Sequence, residues 1–275
     1  MHFVNLVFGR LVGLALWPFR GVSPWFGMAA LSLLTALLML EIFKLTSDQS
    51  AVRSAKDRIK AHLLELRLFK DNLRVTMSAQ GGIVKANLRY IAANLKPLLV
   101  MIVPLVLILA QIGIWYDRLP LMPGDETLLR VRLEPGTDPL ALRIGLTSPA
   151  AVAVDSPAVR IPDEDEIVWR LKALTEGQGK ILLRVGERTL EKSVRVGGPP
   201  LTRVSAAASR GSFWDRILHP GEPPLPGGTP VRSVEILYPA ARLAAFGLTV
   251  HWLVAYFFLS LAFAFALKGA FKVDI

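Results

Sequence analysis

Residues 97–116 read PLLVMIVPLVLILAQIGIWY, an uncharged run that ends on two interfacial aromatics, Trp115 and Tyr116. Twenty residues at about 1.5 Å per residue make roughly 30 Å of helix, the thickness of a bilayer's hydrocarbon core. Two further runs have the same character. WFGMAALSLLTALLMLEIF (25–43) has an aromatic edge at Trp25 and Phe26, with Glu41 and Lys44 at its other mouth. Phe246 to Leu267 forms another apolar stretch, stopped by Lys268 and Lys272. With 52% hydrophobic residues in 275 and a mean hydropathy of +0.44, the chain is too apolar for a soluble globule. The expected spans are residues 23–44, 97–116 and 243–268, with Pro104 bending the second.

Between the first two spans, residues 45–96 are charged and helix-forming. Val52, Ile59, Leu66 and Leu73 recur every seventh residue, broadened by Ala55, Leu63 and Phe69. Beyond Asp71 and Asn72 a second stripe follows at Val84, Leu88, Ile91, Leu95 and Leu98. The pattern predicts an antiparallel helical hairpin whose second arm is weakened by Gly81 and Gly82. Its basic residues include Arg53, Lys56, Arg58, Lys60, Arg67, Lys70, Arg74, Lys85 and Arg89; residues 44–96 hold eleven Lys/Arg against four Asp/Glu. Because short loops rich in Lys and Arg stay in the cytoplasm, the hairpin sets the orientation. The N-terminus and the segment after the second span then lie outside, and the tail 269–275 lies inside. Residues 1–22, with Arg10 and Arg20 interrupting the apolar run, read as a retained interfacial helix whose arginines reach lipid headgroups.

Residues 117–242 are nearly neutral and broken by Pro, Gly and Asp into short strand-like runs: TLLRVRLEP, LALRIGL, VAVDSPAVRIP, EIVWRLKAL, KILLRVG, EKSVRVG and VRSVEILYP. Six or seven strands at this spacing predict an all-β, Ig-like sandwich inserted in a membrane α-helical core. The intervening SRGSFWDRILHPGEPPLPGGTP is too constrained for a regular strand, and its Phe213, Trp214 and Ile217 are expected to form a plug packing the domain against the bilayer or against the hairpin's own spans.

Several chemistries are disfavoured. There is no cysteine, so disulfides, thiolate nucleophiles and Cys-ligated metals are excluded. The four histidines never fall at i, i+4, and the acidic run Asp163 to Glu166 lacks the D-x-D-x-D-G pattern, so it reads as a solvated turn. No G-x-S-x-G elbow or phosphate-binding glycine loop occurs, and His219 near Asp215 is ordinary coincidence. Neither catalysis, cofactor nor metal is expected.

The order of span, basic two-helix hairpin, second span, outside segment and last span resembles the YidC/Oxa/Alb superfamily of membrane-protein insertases. It is most similar to the minimal three-span branch that includes archaeal YidC-like proteins and the insertase subunit of the endoplasmic-reticulum membrane complex. The resemblance is carried by KANLRYIAANLKPLLVMIVPLVLILAQIGIWYDRLPL (85–121) and VHWLVAYFFLSLAFAFALKG (250–269), within residues 1–121 and 244–275. The first span has no arginine where many bacterial relatives carry one, and the β insertion replaces a short connection.

The resemblance implies a protein of the bacterial inner (plasma) membrane that offers client helices a polar intramembrane groove, with nascent membrane proteins or the ribosome at the hairpin. Groove candidates are Gln111, Asn94, Ser32, Thr35, His251 and Ser260; the competing role for each is hydrogen bonding between spans. The alternative function is a membrane-anchored scaffold whose β domain recruits an envelope protein. No nucleic-acid sequence is expected to be read.

Overall fold

The computed structural model describes residues 2–69, 73–210, 220–245 and 247–271. Three of its helices are long and apolar enough to cross a membrane: Pro24–Thr46, Thr76–Tyr116 and Trp252–Phe271. The chain divides into two compact units, one comprising Met1–Leu31 with Leu107–Tyr256, the other Ser32–Val106 with Phe257–Ile275.

In the first unit, helix α1 (His2–Leu16) passes through a short 3-10 turn to α2 (Pro24–Thr46). Pro24 is the first residue of α2, where the missing amide costs no hydrogen bond. Gly27 sits where α1, α2, α4 (Leu73–Tyr116) and the segment at Leu201 converge; a Cβ there would lie 2.6 Å from Tyr116 Oη and 2.9 Å from Leu16 Cδ2. Aromatic donors tie the helix ends in this unit to one another and to the β region. Trp25 Nε1 donates to Ala244 O (2.7 Å), Tyr116 Oη to Pro24 O (3.0 Å) and Trp252 Nε1 to Asp117 Oδ1 (3.2 Å).

The β region contains antiparallel sheets. One runs β3-β5-β1-β9-β8 (Val152–Val154, Glu166–Ala173, Glu126–Leu133, Val231–Ile236, Ala207–Ser209), with β4 (Val159–Ile161) also on β5; the other runs β2-β6-β7 (Ile144–Thr147, Gly177–Val185, Arg188–Val196). Their inward rows share one core, including Leu129, Val131, Trp169 and Leu171 from the first sheet and Leu183, Leu190 and Val194 from the second. VAVDSPAVRIP, expected as one strand, forms two, because Asp155, Ser156 and Pro157 interrupt the ladder and both pieces pair with β5. Strand β8 was not foreseen, since AAS carries little strand signal and is recruited by pairing with β9. The ends of the domain return to each other, with Leu119 N–H donating to Pro239 O and Ala241 N–H to Asp117 O, both at 2.9 Å.

In the last expected span, residues 243–245 and 247–250 are not helical. They form a hairpin of β10 (Leu243–Ala245) and β11 (Leu248–Val250), turned at Gly247 with φ +80°, and α5 (Trp252–Phe271) begins later than the apolar run suggested. A continuous apolar stretch has no period with which to separate a strand from a helix.

The second unit contains α3 (Gln49–Leu68) and most of α4. Asp48 caps α3 by accepting from the Ser50 and Ala51 amides, each at 3.0 Å. Helix α4 is continuous over 44 residues, through Pro97 and Pro104, so the second hairpin arm and the second span are a single helix. Each proline removes one amide, and the apolar helix-forming residues on both sides carry the ladder across the gap. At about 66 Å, α4 is twice the length a hydrocarbon core needs.

Candidate functional site

The hairpin seam differs from its expected membership. Val52 and Ala55 are buried and Ile59, His62 and Leu66 half-buried, an alternating spacing of three and four, while Leu63 and Phe69 are about half exposed. The seam accepts His62 because Gly82 faces it: a Cβ at Gly82 would lie 2.5 Å from the imidazole. Across the same hairpin, Lys56 Nζ lies 5.8 Å from the Tyr90 ring centroid. On the hairpin arm of α4, the buried residues among those described between Thr76 and Lys96 are the small Ala79 and Ala86.

The second apolar stripe is not in the seam. Val84, Leu88, Ile91, Leu95 and Leu98 are 49–62% exposed, as is Met77 seven residues before Val84, and Lys85, Arg89 and Lys96 beside them are exposed as well. Two helices can cover only one face of each other, so the small-residue face of α4 closes against α3 and the bulky face is left open. Arg53, Arg58, Lys60 and Arg67 are also exposed, with Lys60 3.8 Å from Asp57. Lys70 and the side chain of Arg74 lie outside the described residues.

The groove candidates have individual environments. Gln111 is 2% exposed, and its Oε1 lies 3.1 Å from where a Gly9 side chain would begin, so this amide packs on α1. His251 accepts from the Leu253 amide through Nδ1 (3.2 Å) and caps the start of α5. Asn94 donates from Nδ2 to Tyr90 O (2.7 Å) on its own helix. Ser32 and Thr35 are buried. The hydroxyls of Ser32 and Ser260 are enclosed without a hydrogen-bond partner among the described residues. Such an orphaned group costs about 1–3 kcal/mol.

One feature of the β domain was missed. The inward row of β7 reads Leu190, Lys192, Val194, Val196, so strand alternation carries a lysine to a position with 0% exposure. Lys192 Nζ forms an ion pair with Glu222 and donates to Ser205 O (2.8 Å), while the Ser193 amide donates to the other Glu222 oxygen at 3.1 Å. Burial pushes the Lys192 pKa down, partly countered by Glu222. Strand period was the available signal, since EKSVRVG places Lys192 in phase with its apolar neighbours.

Within the acidic run, Asp163 and Glu164 are exposed in the 3-10 turn Pro162–Glu164, as a solvated turn requires, and only Glu166 departs from it. Glu166 is 4% exposed and pairs with Arg130 (3.1 Å) and Arg132 (2.6 Å), and the hydrogen bond with Glu166 raises the Arg132 pKa. Phe213, Trp214, Asp215, Ile217 and His219 lie outside the described residues.

No protein-family model and no curated protein matches the chain. Among solved structures, domains 4 and 5 of the S-layer protein SbsC match at a TM-score of 0.23 and 16% identity, over 29% of this chain and 47% of that one. The longer S-layer fragment rSbsC(31-844) matches at the same TM-score and identity, over 30% of this chain and 12% of that one. The match therefore spans less than half the length of either S-layer chain.

Proposed function

We propose that the protein is a membrane-embedded biogenesis factor of the insertase type, whose hairpin receives apolar segments of nascent membrane proteins before they enter the bilayer. The observation that carries this reading is the open stripe from Met77 to Leu95 on α4, flanked by Lys85, Arg89 and Lys96 and continuous in one helix with a span. An apolar client segment would cover the stripe, and the basic flank would suit the ribosome or an acidic client loop. In this reading the hairpin is cytoplasmic and an Ig-like β domain faces the other side of a bacterial inner membrane.

The test is site-specific photocrosslinking to stalled nascent chains of a defined single-span membrane protein. Probes at Leu88 and Ile91 are expected to capture the chain several-fold more strongly than a probe at the exposed Phe258 of α5. Equal capture would remove the reading.

A scaffold function is favoured by a different observation: the β domain owns a closed core, and its two ends meet at Leu119 and Pro239. Replacing residues 123–237 by a short Gly/Ser linker would spare insertion under the first reading and abolish function under the second.

A further inference from the structure

A cavity of about 380 Å³ in the first unit is lined by Arg20, Trp115, Gln178, Arg195, Thr202 and Arg203, with Gly9 and Gly13 of α1 forming a wall without side chains. Its volume falls within the roughly 300–1,000 Å³ of small-ligand sites. A smaller cavity of about 130 Å³ shares Gln178, Arg195 and Arg203 with it. Arginines from the turn after α1, from β7 and from the segment before β8 thus line one cavity.

These arginines are held in place. Arg20 lies over the Trp115 ring at 5.0 Å, Arg195 donates to Gln178 Oε1 (2.8 Å) and Gly197 O (3.4 Å), and Arg203 donates to Gly221 O (3.3 Å). Each guanidinium has five N–H groups, so these contacts leave donors available. Compensating charge is scarce. Among the described lining residues of both cavities Glu222 is the one carboxylate, and it is committed to Lys192. Arg203 is exposed as a whole residue, yet loss of water around its charge lowers its pKa, with Glu222 only partly opposing.

The surroundings indicate depth. Leu11 and Leu14 of α1 and Trp17 of the 3-10 turn after it are turned outward at 57%, 72% and 70% exposure, and Trp115 lies at the end of α4. An apolar helix face beside a terminal tryptophan belongs at the headgroup layer. Planar guanidinium forks match phosphate oxygens, and a phosphate would supply the missing negative charge.

We propose that this cavity binds a phosphate group, contributed by an anionic phospholipid whose headgroup enters between α1 and the Pro199–Arg203 segment. The site would tie the β domain to the lipid surface.

The test is native mass spectrometry of the full chain in detergent, titrated with phosphatidylglycerol or phosphatidylcholine, with thermal unfolding run in parallel. Retention of one phosphatidylglycerol in preference to phosphatidylcholine is expected. Affinity should fall about tenfold or more in Arg195→Gln/Arg203→Gln, and less in Arg20→Gln, whose exposed side chain is the safer one to remove for folding. Arg58→Gln/Lys60→Gln on the hairpin should change nothing. A parallel titration with inorganic phosphate separates the sources: binding as tight as that of the lipid identifies a soluble phosphate ester, and much weaker binding identifies the lipid. Equal retention of both lipids with no phosphate binding, or unchanged affinity in folded Arg195→Gln/Arg203→Gln and Arg20→Gln, would overturn the proposal.

Discussion

Lys192 is a charged residue in an apolar row, and its stability depends on its partner. Glu222→Gln leaves a buried ammonium without its counterion, and a loss of about 3–5 kcal/mol is expected in denaturant unfolding of the β domain. Lys192→Met with Glu222→Leu should restore most of it, because exchanging a buried pair for apolar groups removes both desolvation costs. Tyr238 is a second buried titratable group. Its hydroxyl accepts from the Arg195 amide at 3.0 Å, and burial raises its pKa above the ordinary tyrosine value. The unfolded chain therefore loses this proton first as pH rises through about 10, and the stability the group contributes below that pH is lost above it. Stability should fall by up to about 1.4 kcal/mol per pH unit on that limb. Tyr238→Phe should flatten the limb while costing about 1 kcal/mol at neutral pH, measured by urea unfolding across pH.

Helices and strands with a clear period were legible. The seven-residue recurrence from Val52 gave the α3 arm, and the alternation in EIVWRLKA gave β5 with Ile167, Trp169 and Leu171 inward. Where apolar character had no period the boundaries moved, as at Leu243–Ala245 and Leu248–Val250, and Pro97 did not end α4. The face that α4 turns to α3 was also hidden, because composition favours bulky residues for a seam whereas packing chose Ala79, Gly82 and Ala86. That choice makes a prediction. Gly82→Ala adds helix propensity of about 1 kcal/mol, but its Cβ would push the end of the half-buried His62 side chain out of its place, so a gain short of that value is expected. Adding His62→Ala removes the conflict, and hydrogen exchange of the α3 amides in a double-mutant cycle reads the coupling.

At the scale of the whole molecule, three spans, a basic hairpin and a β insertion could be read from hydropathy and charge. The arginine-lined cavity could not, because Arg20 and Arg195 are far apart in the sequence and line it together only once the chain is folded. The account rests on the hairpin and the β domain occupying opposite sides of a membrane. With no native cysteine in the chain, single-cysteine variants give an unambiguous readout. Lys60→Cys and Lys180→Cys, both at exposed positions, would be treated with a membrane-impermeant maleimide in intact cells and again after lysis. The account predicts labelling of Lys180→Cys in intact cells and of Lys60→Cys after lysis alone; labelling of both, or of neither, before lysis would contradict it.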